Sequence, residues 1–163
     1  LYPRHSGQIA SAMSERKIHV LLETCGHFAW RPFAEHLLPH VDTVYFDLKL
    51  AAPEDHQRFC GRDNGLIHEN LEKLSADPRI ELLPRIPLIP DITDSNENLT
   101  ALGELIRKLG LTRVSLMPYN PLWLSKRRGL GMELPYAHSE WMSAEAVTTC
   151  EDRLSAAGLS LER

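Results

Sequence analysis

The chain has 163 residues, enough for one core, and its 43% hydrophobic and 25% charged content is ordinary for a globular domain. A net charge of −4 excludes general nucleic-acid binding, which needs a basic footprint, and no apolar run approaches the roughly 20 residues that span a bilayer. The opening LYPRHSGQIASAMSERK is polar and broken by Pro3 and Gly7, so no signal peptide is read and a soluble, cytoplasmic protein is expected.

In chain order, a short helix is predicted over 6–16, then a first strand in KIHVLLETCG, ending at Gly26. A helix over 32–37 follows. His36 and His40 have helical H-x-x-x-H spacing, but Pro39 disfavours one helix through both, and no third metal ligand is close. VDTVYFDLKL reads as the second strand, with helices over 53–59 and 68–75 leading to a third strand in IELLPRIPLIP. In SNENLTALGELIRKLG, Leu99, Leu102, Leu105, Ile106 and Leu109 form one stripe of a helix. Asp94 with Glu97 resembles a capping box, Ser95 is an alternative cap, and Gly110 sits where a left-handed C-terminal cap belongs. RVSLMPY is the fourth strand. Trp123 and Trp141 flank a glycine-bearing loop, WLSKRRGLG, with Met132 beyond it, read as packing or as a lid; Lys126, Arg127 and Arg128 are read as a solvated basic cluster within it. The last helix begins near Ser143 and turns Val147, Cys150 and Leu154 inward, and a short edge strand is expected over 159–162.

No internal repeat interrupts this alternation of strands and helices, which implies an α/β fold, a parallel sheet with flanking helices. Four or five strands cannot close an eight-stranded barrel, so an open sheet or an incomplete barrel is required. Functional groups of such sheets gather beyond the strands' carboxyl ends. Each strand is polar there: Glu23 and Thr24 on the first, Asp47 and Lys49 on the second, Arg85 on the third, Tyr119 and Asn120 on the fourth. The two-residue period sets Val44, Phe46 and Leu48 on one face, under helices, and Tyr45, Asp47 and Lys49 on the other. Buried charges need partners, so Asp47 and Lys49 are expected to pair with each other or to meet a ligand. Arg85, the one charge among the prolines of its strand, fits a bound anion or an ion pair with a neighbouring strand's carboxylate.

Cys25, Cys60 and Cys150 show no C-x-x-C spacing, so zinc, a disulfide framework and an iron–sulfur cluster are not signalled. Cys25, near the strands' carboxyl ends, is read as a small buried filler in preference to a redox-active thiol, and most histidines as surface or loop residues.

The segments ETCG, VDTVYFDLK, HQRFCGRDNGLIHENLEKL, RIPLIPDITDSNENL and LMPYNPL follow one another in order. That ordered set resembles the radical S-adenosylmethionine family, in particular the activating enzymes of glycyl radical enzymes. The resemblance implies an incomplete (β/α)6 partial barrel, with 1–163 as a single domain lacking the first two βα units. S-adenosylmethionine would lie across the carboxyl ends of the strands. It implies that Asp47 and Lys49 match the family's D-x-K pair near that cofactor and that Arg85 matches an arginine near its methionyl end. Thr24 joins the cofactor residues, and Glu23, Thr24 and Asp47 stand where relatives hold a monovalent cation. Asn120 replaces the histidine of a P-Y-H motif, Asp91 a glycine and Thr93 an asparagine of the turn after the third strand.

The same resemblance implies a parent reaction in which a [4Fe–4S] cluster reductively cleaves S-adenosylmethionine. The 5′-deoxyadenosyl radical so formed abstracts hydrogen from a glycyl radical enzyme or a small-molecule substrate, with a flavodoxin or ferredoxin-type reductant. The C-x-x-x-C-x-x-C cluster loop and the glycine-rich G-G-E motif are absent from the 163 residues, so the chain alone is expected to be inactive and to leave a sheet edge open at KIHVLLE. Two other readings stand beside it: a non-catalytic module that binds S-adenosylmethionine or a partner, and an unrelated Schiff-base α/β-barrel lyase using Lys49. Against the lyase, Asp47 beside Lys49 would hold the lysine protonated.

Overall fold

The computed structural model describes residues 2–134 and 136–162; Leu1, Pro135 and Arg163, which fall in the 1–163 span read as one domain, lie outside the described residues. Five strands form one sheet: β1 (Leu21–Thr24), β2 (Thr43–Asp47), β3 (Glu81–Pro87), β4 (Arg113–Met117) and β5 (Ser160–Glu162). All neighbours are parallel, and their order in space is their order in the chain. Parallel neighbours need a crossover between them, and helices supply each one. α1 (Pro3–Ser14) precedes β1, and α2 (Trp30–His36) with a 3-10 turn (Leu38–His40) leads to β2. α3 (Pro53–Cys60) and α4 (Gly65–Ser75) join β2 to β3, and α5 (Asn96–Lys108) joins β3 to β4. α6 (Trp123–Gly129) and α7 (Ala144–Ala156) complete the path to β5.

The core lies on one side of this sheet. Val44, Phe46, Leu82, Ile86 and Val114 meet Phe33, Leu71, Leu74, Leu99, Leu102, Ile106 and Leu154 from the helices. The register sets Glu23 beside Tyr45, Asp47 beside Arg85 and Arg85 beside Ser115 on the opposite face. None of these residues joins the apolar cluster. The two-residue period therefore holds in β2: Val44, Phe46 and Leu48 are buried, while Tyr45, Asp47 and Lys49 are half-buried on the other side.

The α5 stripe forms as its spacing requires, with Leu99, Leu102 and Ile106 fully buried. Ser95 is its cap: the hydroxyl accepts the Asn98 N–H at 3.2 Å, and Asp94 stands outside, its carboxyl pushed up by burial. Gly110 takes φ +76 at the far end, a left-handed conformation that glycine adopts without steric cost.

Three expectations are corrected. The first strand starts at Leu21 rather than at Lys17, because Lys17 is left-handed and the Val20 N–H donates to the Asp42 carboxylate at 2.7 Å instead of to a strand. The stretch read as a loop between Trp123 and Trp141 begins with α6, so Lys126, Arg127 and Arg128 form its last turn, where cations suit the helix dipole. Cys25 is exposed rather than buried, since it follows β1 at its open end; Cys150 is the buried thiol. Pro39 does end helix α2 before His40, as its ring requires.

Candidate functional site

At the centre of the uncovered sheet face, Arg85 ties three strands together. Its Nη1 and Nη2 donate to the two oxygens of Glu23 on β1 at 2.9 and 3.1 Å, a bidentate fork. Its Nε donates to Asp47 Oδ1 on β2 at 3.0 Å, and the guanidinium lies 5.0 Å from the centre of the Tyr45 ring. The Arg85 side chain is 13% exposed against 59% for Glu23. The arginine holds the Glu23 carboxyl below the usual carboxylate range, first through the hydrogen bonds and then through its charge. Burial pulls the guanidinium pKa down, but the bonds and charges of Glu23 and Asp47 outweigh it and raise it. Of the two readings left open for Arg85, the ion pair with neighbouring strands is the one formed.

The expected pairing of Asp47 with Lys49 is not made, because Arg85 reaches Asp47 directly across the register. Among the described residues Lys49 has no ion pair. It stands between two cavities at the carboxyl ends of the strands. One, about 400 Å³, has a mainly apolar wall of Leu50, Phe59, Ile92, Tyr119, Trp123 and Tyr136, with Arg58 beside them. The other, about 410 Å³, is bounded by Cys25, His27, His56, Cys60 and Arg62. The charged groups on both walls are cations, whereas the sheet face below bears Glu23, Asp47, Glu81 and Glu162 against Arg85 and Arg113.

Thr24 and Asn120 lie apart from this bridge. Thr24 shares the helix-covered side with Phe46, and its hydroxyl accepts the Gly26 N–H at 3.1 Å. Glu23, Thr24 and Asp47 therefore do not converge, and Arg85 fills the space between the two carboxylates. Asn120 is exposed, its side-chain oxygen accepting the Leu122 N–H at 2.9 Å. Among the described residues no group of three or more His, Cys, Asp or Glu side chains is arranged to hold a metal.

The loops that carry the site are anchored by buried asparagines not singled out in the sequence. Asn98 accepts the Ala51 N–H at 2.8 Å and donates to the carbonyls of Lys49 at 3.0 Å and Thr93 at 2.8 Å, fixing the chain just after Lys49. Asn64 donates to the carbonyls of Leu50 and Ala51, each at 2.9 Å. Asn70 donates to those of Gly26 at 2.7 Å and Phe28 at 2.8 Å, holding the loop after β1. The available signal is a polar amide on an apolar helix stripe: Asn70 lies among Ile67, Leu71 and Leu74. Thr93 bridges its own loop, accepting the Ile89 N–H and donating to the Pro87 carbonyl, both at 2.6 Å. Asp91 takes φ +63 there, a conformation aspartate tolerates better than most side chains. The aromatic wall is likewise bonded: Tyr119 donates to the His138 carbonyl at 2.8 Å and accepts the Trp123 indole N–H at 2.9 Å.

No protein-family profile matches the chain. Among characterised proteins it is 36% identical over 121 residues to the isethionate sulfite-lyase activating enzyme of Nitratidesulfovibrio vulgaris, covering 74% of this chain and 39% of that protein. It is 31% identical over 124 residues to the 4-hydroxyphenylacetate decarboxylase activating enzyme of Clostridioides difficile, covering 76% of this chain and 39% of that one. The chain thus spans well under half the length of these relatives. A crystal structure of a domain of the pyruvate-formate lyase-activating enzyme from Bacteroides vulgatus has the same fold, with a TM-score of 0.78 at 21% identity over 98% of this chain and 89% of that one.

Proposed function

We propose that this chain, a homologue of glycyl radical enzyme activating enzymes, is the part of such an enzyme that receives S-adenosylmethionine at the carboxyl ends of its strands. Sheet order equal to chain order, with helices on one face, supports reading it as a segment of a partial (β/α)6 barrel whose inner side is the polar face.

The observation that carries the proposal is the Glu23–Arg85–Asp47 bridge, with Lys49 following Asp47 on the same face of the chain. S-adenosylmethionine carries an ammonium, a sulfonium, a carboxylate and a ribose diol. Two carboxylates tied by one guanidinium leave a net negative charge that suits its cations, and Lys49 supplies a cation for its carboxylate. Arg85, whose donors are committed to Glu23 and Asp47, acts as a positioning residue and takes the place a monovalent cation would fill between them. The Asn120 amide, its oxygen engaged by a backbone N–H, retains donors for the ligand, whereas Thr24 lies on the helix-covered side, away from the polar face. Bound S-adenosylmethionine would supply the 5′-deoxyadenosyl group that abstracts hydrogen from a glycyl radical enzyme or a small molecule.

Among the described residues no group of side chains fits a [4Fe–4S] cluster; in this reading turnover belongs to a longer protein and this chain contributes the S-adenosylmethionine-binding part, in a reducing, cytoplasmic setting. Calorimetric titration with S-adenosylmethionine tests it: saturable binding is expected, weakened about tenfold in Lys49→Ala, which corresponds to roughly 1.4 kcal/mol. Absence of binding by the unaltered chain would overturn the proposal. Borohydride trapping with small carbonyl compounds is expected to leave Lys49 unmodified; a reduced adduct would favour the lyase chemistry instead.

A further inference from the structure

Two thiols far apart in sequence meet at the second cavity. Cys25 and Cys60 are both exposed, and both line it with Lys49, His27 and Arg62, whereas Cys150 is buried elsewhere. Burial pushes the Cys60 thiol up most, Lys49 draws it down, and the charge of Cys25 raises it further.

We propose that Cys25 and Cys60 form a redox-sensitive dithiol, converted to an internal disulfide by a small disulfide such as oxidised glutathione, and that the bond narrows the cavity beside Lys49. This goes beyond the cofactor site and does not depend on it. The framework suits such a closure. Cys25 rides on a fixed loop: Gly26 takes φ +76 with its backbone against the Phe46 ring, and Asn70 holds the carbonyls on either side of His27. Cys60 is the last residue of α3, followed by Gly61 at φ +77, where an added Cβ would meet open space. Lys49 and Arg62 attract the carboxylates of oxidised glutathione.

The step balances without a metal. One protein thiolate attacks a sulfur of oxidised glutathione and displaces a glutathione thiolate, leaving a mixed disulfide. The second protein thiolate attacks that mixed disulfide and releases the other glutathione. Two protein thiols are oxidised by two electrons, one disulfide is reduced to two thiols, and the two protons pass to the released glutathione.

The test is incubation of the full chain with oxidised glutathione, read by intact mass and peptide mapping. The wild type is expected to lose two hydrogens, link the Cys25 and Cys60 peptides and retain no glutathione. Cys25→Ser and Cys60→Ser should each stop at one glutathione adduct, while Cys150→Ser should behave as wild type. Acetylation of Lys49 by an amine-reactive ester should slow severalfold in the oxidised wild type. A wild type that stays reduced, keeps glutathione without an internal link, or links through Cys150 overturns the dithiol; an unchanged Lys49 rate overturns the narrowing.

Discussion

Arg85 decides the electrostatics of the open sheet face. A guanidinium that is 13% exposed reaches two carboxylates at once, where a lysine would offer a point charge without a planar fork. Arg85→Leu is expected to leave Asp47, 24% exposed at its side chain, without its cation and to lower stability by about 1–3 kcal/mol in urea denaturation. Unchanged stability would show that solvent already satisfies Asp47. Glu23 is the more exposed partner, and its share shows in its titration. Its folded-state pKa lies below the ordinary 4.5, so the stabilisation is present above that value and is lost as pH falls through the lower folded value. NMR titration of Glu23 should therefore show a low pKa that returns toward 4.5 in Arg85→Leu, and the stability gap between the two proteins should shrink in acid. High salt should weaken the same pair, because its glutamate faces water.

At the scale of elements, strand ends are useful only if the loops beyond them stay in place. Asn98, near the start of α5, performs that task for the turn containing Lys49, using its oxygen and its amide together. Asn98→Ala removes three hydrogen bonds and leaves the Lys49 and Thr93 carbonyls and the Ala51 N–H without this partner. A loss of about 2–4 kcal/mol is expected by thermal or urea unfolding, with S-adenosylmethionine titration showing weaker binding by the folded fraction. A neutral change would mean that water replaces the amide. The residues carrying this site were legible to different degrees. The face of Asp47 could be assigned from the two-residue period of its strand, and an ion pair of Arg85 with a neighbouring strand's carboxylate was one of two open readings. That Arg85 would take Asp47 from Lys49 could not be assigned, because it depends on which strands become neighbours and on a one-residue register. Asn64, Asn70 and Asn98 were hidden for a related reason: each bonds to a loop at least 13 residues away, and nothing local marks the partner.

For the whole molecule, the one-sided core leaves stability sensitive to acid through a half-buried histidine. His68 on α4 has its Nε2 buried without a hydrogen-bond partner among the described residues, and burial, followed by the neighbouring His56, lowers its pKa below 6.5. The unfolded chain therefore binds that proton first. The stability present above 6.5 is lost as pH falls toward the lower folded value and levels off below it. His68→Leu should flatten this part of the stability curve, measured by urea unfolding between pH 7.5 and pH 4.5; an unchanged slope would assign it to other groups.

By itself, the sequence determined the α/β class, the face on which each β2 residue lies and the left-handed cap at Gly110. All of these follow from local periods, caps and backbone preferences within a few residues. Only the tertiary structure decided that β1, β2 and β3 align so that Glu23, Asp47 and Arg85 share one bridge. Only it left Lys49 without an ion pair among the described residues between two cationic cavities, and brought Cys25 and Cys60 to the wall of one of them. Strand pairing and crossover packing act between residues tens of positions apart, and no local pattern encodes that distance.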